Sequence, residues 1–506
     1  AKRATCVVVG ESRYWAAAEC LPMVRAAYKN IETNPHIETP VQYTEREWDA
    51  QSALLDITRG RLQAIGPTTA TQLSATLQQP RTAIDTALLA LEVEGFVMRG
   101  QFTINDSELE WCERRLLARI HRYTLQSLRA EIEPVSAADC MRFLLEWQGV
   151  TRQPQGEGLQ SLLTIVEQLE GCEVPAAAWE TDVLPSRLHD YDPNWLDSAC
   201  LSGRALWARL TPPKASTGGP IRSTPISLVT RKHSALWQSL ASQQAATLQL
   251  SHPAQAIAQH LQTHGASFFD DIKTTTQLLP SQAEDGLAEL VAAGLVTADS
   301  FSGLRALLIP QERKRRMAAR GRRIALFGLE DAGRWSLVHR HTSELDATAL
   351  EQIAWILLRR YGVVFRRVLE READWLPPWH VLLRALRRLE AQGHIRGGRF
   401  VAGIPGEQFA LPDAVAALRA LRRKPASEQL VSLSAADPLN LVGTLLPGAR
   451  VPALTGNRIL LRDGVPIAVY IGGEAQFLTA LEPEREWAAR NVLLHKQLMH
   501  AQTGAT

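Results

Sequence analysis

At 506 residues the chain is long enough for about three to five domains. A hydrophobic content of 45% and a charged content of 21% belong to an ordinary globular protein and exclude a disordered one. The net charge of +2 excludes a globally basic nucleic-acid binder, so any electrostatic footprint for phosphates has to be local.

Residues 1–44 read as a strand, "CVVV", a helix, "YWAAAECLPMVRAAY", and a polar, Pro-containing connection. A helix-turn-helix follows over 45–105. It has a short helix, a Gln-Gln-Pro turn and a second helix from Arg81 that runs into "ALLALEVEGFVMRGQF" at 87–102. The chain says nearly the same thing twice more, as "GLAELVAAGLVTADSF" at 286–301 and "ALRRLEAQGHIRGGRF" at 385–400. Leu91/Leu290/Leu389, Gly95/Gly294/Gly393, Val97/Val296/Ile395 and Phe102/Phe301/Phe400 fall at the same offsets. Apolar residues at helical spacing, a glycine where the helix should stop and a short alternating run spell helix, left-handed stop and hairpin. That is the end of a winged helix, whose last helix enters a DNA groove or serves as a protein adaptor.

Residues 106–210 read as helical and winged-helix-like. "ELEWCERRLLARIHRYTLQSLRAEI" is a long amphipathic helix with Leu116, Leu117, Ile120 and Tyr123 on its apolar face, and Ser136 caps the next helix. With "GLQSLLTIVEQLEG" these helices suggest a fourth unit whose wing is lost or rebuilt. Over 211–310 a hairpin precedes the second repeat, with "PISLVTR" expected to pair with "GRALWARL" across a Pro/Gly/Ser-rich loop. Residues 311–342 form a basic linker and strand, in which "QERKRRMAARGRR" at 311–323 carries seven Arg/Lys against one Glu. The third repeat, 343–408, is Arg-rich, and Pro377-Pro378 opens its last helix. Residues 409–481 read as a small β-barrel-like module with a hairpin at Asp463-Gly464, and 482–506 as a terminal helix. The fold class is therefore α+β, mostly α, with several winged-helix modules.

The third repeat concentrates the cations expected to meet DNA phosphates. Arg384, Arg387 and Arg388 lie on its last helix and Arg396 and Arg399 on its wing, with Arg81 and Arg99 as the lesser contribution of the first repeat. Trp375 and Trp379 read as module core, with base stacking as the alternative. The six cysteines contain no CxxC pair and read as free thiols of a reducing cytosol, with no metal site. No apolar run reaches the roughly eighteen residues of a membrane span, so a cytoplasmic protein with no membrane partner is expected. The first residue is not Met, which points to a piece of a longer chain.

Three stretches carry a resemblance: "LLRRYGVVFRRVLERE", "RRLEAQGHIRGGRFVAGIPGEQFALPDAV" and "SAADPLNLVGTLLPGARVPALTGNRILLRDGVPIA". Together with "LEWCERRLLARIHRYTLQSLRAEIEPVSAADCMRFLLEWQGV", they closely resemble the C-terminal region of bacterial large helicase-related (Lhr-type) superfamily 2 DNA helicases. The resemblance implies DNA repair, single-stranded or forked DNA as partner, assembly into homotetramers and a uracil-DNA glycosylase activity. It places this chain downstream of an ATP-driven motor. No GxxxxGK[ST] motif occurs, so ATP and Mg are expected only for that motor and no cofactor for this chain.

"AADPLNLVG" (435–443) with "LLRDGVPIA" (460–468) is also similar to the motif of winged-helix DNA glycosylases. Asp437 falls on that motif's carboxylate and Asn440 follows as an orienting amide, while Ala435 stands where the motif has glutamine. In that reading Asp437 would stabilise an oxocarbenium-like sugar, and Asp437→Asn would remove activity and spare the fold. The plainer reading makes Asp437, before Pro438, a turn residue. The alternative to both is a non-catalytic winged-helix scaffold for protein-protein assembly.

Overall fold

The computed structural model describes residues 3–10, 12–29, 31–103, 108–130, 132–151, 157–211, 213, 220–242, 249–309, 328–338 and 345–494. The chain divides into two units, 1–130 and 131–506.

In the first unit, Ala4–Val9 pairs antiparallel with Ser12–Ala17 on one side and Glu32–Asn34 on the other. The helix expected from Tyr14 onward is thus a strand in its first half and a helix only over Leu21–Ala27. Alanine's helical propensity is weaker than the backbone pairing offered by the β-branched "CVVV" strand, and Trp15 stands 79% exposed on the outer face. The Tyr14 and Tyr28 hydroxyls donate to Thr76 and Leu77 carbonyls and dock this sheet on the first winged helix, module A.

Module A has helices Ala50–Leu62, Ala70–Leu77 and Arg81–Val93, and its strands Thr68–Thr69, Val97–Gly100 and Glu110–Glu113 form one sheet. The Thr69 and Gln72 side chains form a reciprocal cap on the middle helix. The helix Arg114–Ala130 that follows buries none of its residues. The expected apolar face is not covered, since Ile120 is 37% and Tyr123 75% exposed.

The second unit holds three more modules. Module B runs from helix Gly158–Leu169 through helix Pro193–Leu201 to strands Ala205–Ala208 and Pro225–Thr230, which pair with each other. Its wing is therefore present, made of the two apolar runs expected to pair, and not lost. Module C has helices His252–His264, Phe269–Thr276 and Pro280–Ala292, with strand Arg334–Leu337 between Ser267–Phe268 and Val296–Ala298. Phe301, expected on the far side of a hairpin, instead opens a helix, Phe301–Leu308, inside the wing, where it packs fully buried against Trp207. The basic run 311–323 lies outside the described residues. Module D has helices Ala347–Tyr361 and Trp379–Ala391, strands Val363–Phe365, Arg396–Gly398 and Gln408–Ala410, and a single 3-10 turn, Val368–Arg371, as its middle helix.

The repeated residues have one structural meaning. Leu91, Leu290 and Leu389 are fully buried at the end of the third helix of modules A, C and D, and replacing such a leucine by alanine costs roughly 2–5 kcal/mol. Gly95, Gly294 and Gly393 all take the left-handed conformation, with φ of 70°, 70° and 80°. Val97, Val296 and Ile395 start the wing from inside the core.

Beyond helix Pro412–Arg422, strands Leu430–Ser434, Arg458–Arg462, Val465–Ile471 and Glu474–Phe477 form an antiparallel meander. This corrects the barrel-like expectation: the sheet is open, its end strands do not pair, and helix Pro483–Leu494 covers one face through Ala489 and Leu493. Asp463 and Gly464, at φ 48° and 79°, make the expected two-residue hairpin. Gly464 lies so close to the Ala138 carbonyl that a Cβ there would stand 2.1 Å from its oxygen.

Candidate nucleic-acid interface

The last helix of module D sorts its residues by face. Leu382, Ala385, Leu386 and Leu389 are buried against the module, while Arg384, Arg387 and Arg388 are exposed. Along the wing strand, Arg396 and Arg399 are exposed on either side of Gly397 and Gly398. Arg387 is committed elsewhere: its Nε and Nη2 donate to Glu407 Oε2 at 3.1 and 2.6 Å. Among the described residues, Arg384, Arg388, Arg396 and Arg399 make no ion pair, so their charge is available to an anion. Trp375, 7% exposed, packs edge-on to Trp237 and donates to Thr211 Oγ1 at 2.7 Å, which makes it core.

The other three modules are built differently at the same place. Arg81 is held by Glu108 at 2.5 Å and Asp85 at 3.7 Å, and Arg99 by Glu92 at 3.2 Å, with its guanidinium 5.9 Å from the Trp111 ring centroid. The outward face of helix Arg81–Val93 and its wing shows Leu89, Val93 and Met98 at 49%, 89% and 48% exposure. Helix Pro280–Ala292 of module C contains Glu284, Asp285 and Glu289 and no Arg or Lys, and its last residues are buried. Helix Pro193–Leu201 of module B likewise has no cation, and its Asp197 is bound by Arg305 at 3.0 Å.

Asp437 and Asn440 lie on the 435–457 connection between the first two strands of the meander, and both are 1% exposed. Arg187 of module B, itself without exposed side-chain surface, grips Asp437 with both arms: Nη1 donates to Oδ2 at 2.6 Å and Nη2 to Oδ1 at 2.9 Å. Asp437 Oδ1 also accepts the Leu439 N–H at 2.9 Å, which bridges Pro438 as in an Asx turn. Arg187 Nη2 donates further to Gln148 Oε1 at 3.0 Å. The Asn440 amide nitrogen donates to the Ala435 and Val451 carbonyls, and its Oδ1 is buried without a partner among the described residues.

With both oxygens engaged and no surface open, the carboxylate holds the connection onto module B. It would reach a sugar only if Arg187 let go. Asp463 is likewise structural, accepting the Ser427 and Glu428 N–H groups at 3.1 and 2.8 Å. Burial pushes the thiols of Cys140, Cys172 and Cys200 up to about 12, so none is a thiolate nucleophile at neutral pH.

Sequence reasoning expected the two runs of module B's wing to pair but missed that they continue a fourth copy of the repeat, and it missed the Arg187 partner of Asp437. The first had a signal. Ala199, Gly203 and Ala205 repeat the Leu-Gly-Val spacing, and Gly203 takes φ 69° as its counterparts do. The second had none, since 250 positions separate Arg187 from Asp437.

Two family models described as "Large helicase-related protein, winged-helix domain" match, one at residues 343–430 and one at 135–231. A Mycolicibacterium smegmatis protein named "Lhr helicase/ probable uracil glycosylase" is 30% identical over 476 residues, which cover 88% of this chain and 30% of that protein. The Escherichia coli "Lhr helicase/uracil glycosylase" is 28% identical over 498 residues, covering 89% of this chain and 31% of that protein. The chain thus spans under a third of the length of these relatives. Among solved structures, the Streptomyces sahachiroi DNA glycosylase AlkZ superposes with a TM-score of 0.37 at 15% identity, over 71% of this chain and 97% of its own. The chain therefore carries winged-helix domains of the large helicase-related family and is related over most of its length to one region of the Lhr helicases.

Proposed function

We propose that this chain is a DNA-holding and assembly region of a large helicase-related protein, with module D as the surface that meets the phosphates. The observation that carries this is the set of four arginines, 384, 388, 396 and 399, on one helix and its wing, unpaired among the described residues. Cations on a recognition helix and wing neutralise phosphates and release counterions, which gives affinity a steep dependence on salt. The substrate proposed is single-stranded or forked DNA, matching a helicase relative, and the chain itself needs no ATP, Mg or other cofactor. The test is fluorescence anisotropy with forked DNA at several salt concentrations, comparing the wild type with Arg384→Ala/Arg388→Ala/Arg399→Ala. Affinity should fall and the slope of log K against log salt should flatten by about 0.9 per lost duplex contact. Unchanged affinity and slope would place the DNA elsewhere.

Self-association into a homotetramer belongs to the same proposal. The exposed Leu89, Val93 and Met98 of module A support it, because a second chain would cover them. Sedimentation should show an assembly larger than one chain, reduced by Val93→Glu; a clean monomer at micromolar concentration would end this part. Base excision is a second reading, favoured by the names of both relatives. Asp437 and Asn440 remain its candidate residues, on condition that substrate displaces Arg187. Alkali cleavage of uracil-containing DNA after incubation with the chain decides it, and the absence of abasic sites would remove the reading.

A further inference from the structure

Behind the wing of module D lies a cavity of about 450 Å³, within the range of small-ligand sites. Its floor is apolar, formed by Val135, Phe400, Val415 and Leu418. Its rim is cationic. Arg422 is neutralised by Glu133, but Arg419 and Arg423 are exposed and make no ion pair among the described residues. The cavity is joined to the proposed DNA surface through the wing strand. Val135 N–H donates to the Phe400 carbonyl, and Ile132, which also lines the cavity, packs so tightly on Gly398 that a Cβ there would lie 2.2 Å from it. Gly398 sits between Arg396 and Arg399. The two arginines therefore lie on the wing strand against which the cavity is built.

An apolar floor under a rim with two uncompensated positive charges suits a flat, weakly polar ring carrying an anion. We propose that the cavity takes one unpaired nucleotide at the edge of a duplex, with its base on the apolar floor and its phosphate between Arg419 and Arg423. The proposal rests on the DNA-binding reading and adds the feature that module D recognises. A fully paired end cannot supply a free base, so the cavity would make a junction or overhang the preferred ligand of a surface that otherwise reads only phosphates.

The experiment uses the whole chain with a short blunt duplex and the same duplex carrying an unpaired overhang, with 2-aminopurine at the first unpaired position. The wild type should favour the overhang about tenfold, the order expected for one buried base, and its 2-aminopurine fluorescence should change on binding. Arg419→Ala/Arg423→Ala, on exposed positions, and Val415→Trp, which fills the cavity, should each bring the two affinities to parity while leaving blunt-duplex affinity unchanged. An overhang preference that survives both variants, or that the wild type lacks, overturns the proposal. Equal loss for both DNAs makes the arginines ordinary phosphate contacts and also overturns it. If neither DNA binds at all, the underlying DNA reading fails with it.

Discussion

Modules A and D share every element of the winged helix that their repeated residues specify, yet their outward faces are opposites. On helix Trp379–Ala391 the exposed positions are Arg384, Arg387 and Arg388 with His380 and Ala391, whereas on helix Arg81–Val93 they are Arg81, Thr82, Thr86, Leu89 and Val93. The inward positions are mainly leucines and alanines in both, with Ile84 added in one and Glu390 in the other. The difference teaches that the repeat encodes a frame, and that the partner is chosen by the few residues the frame leaves in water. It also separates cations that are present from cations that are free. Arg81, Arg99 and Arg387 look alike in the sequence, but each already has a carboxylate.

The largest effect is expected from the buried pair that holds the 435–457 connection onto module B, in the same unit as module D. Replacing Arg187 by Ala, or Asp437 by Asn, strands a buried charge from a pair with 0% and 1% side-chain exposure. The expected loss is about 3–5 kcal/mol for Arg187→Ala, measurable by denaturant unfolding. Asp437→Asn thus should not spare the fold, contrary to the expectation from the sequence. Replacing both residues with apolar side chains should restore much of the stability.

A surface-level contrast comes next. Arg384→Ala/Arg388→Ala/Arg399→Ala should weaken DNA binding and flatten its salt dependence, while Arg81→Ala/Arg99→Ala should change neither. Equal effects from the two sets would erase the distinction between paired and unpaired arginines. A smaller effect sharpens the same point in the opposite direction. Glu407→Gln releases Arg387, and DNA affinity at low salt should rise with a slope steeper by up to about 0.9.

The smallest effect concerns module C, whose surface has no phosphate-facing cation on its third helix. Burial first, and the neighbouring His264 second, hold the His260 imidazole below its ordinary value of 6.5. A depressed value means that the unfolded chain binds the proton more readily than the folded one. Stability is therefore intact above the unfolded value and falls as the pH drops below about 6.5. Thermal unfolding between pH 7 and pH 5 should show this decline, and His260→Gln should flatten it.

Much of this organisation was legible in the sequence because it rests on local chemistry. Glycines at left-handed stops, prolines at helix starts and an Asp-Gly hairpin act within a few residues of themselves. Module B's match to the repeat escaped because alanines fill the places of the repeat's large apolar residues: Ala199 and Ala205 are as buried as Leu389 and Ile395 but signal nothing in a hydrophobic pattern. The strand at Ser12–Ala17 and the helix at Phe301–Leu308 were decided by tertiary packing over propensity. The candidate site was half legible. Which residues are arginine can be read directly, but which of them are free depends on carboxylates such as Glu407, twenty positions from Arg387.

Gly464 carries one more consequence. Its backbone needs a positive φ, and its α-carbon is pressed against the Ala138 carbonyl, so two unrelated demands meet at one atom. In a saturation library this position should behave as a letter with one permitted spelling. Alanine, the mildest change elsewhere, would be rejected there almost as firmly as tryptophan, because the conflict is with backbone that cannot swing away. A folded Gly464→Ala variant of undiminished stability would mean that the meander can ride away from the helix beneath it.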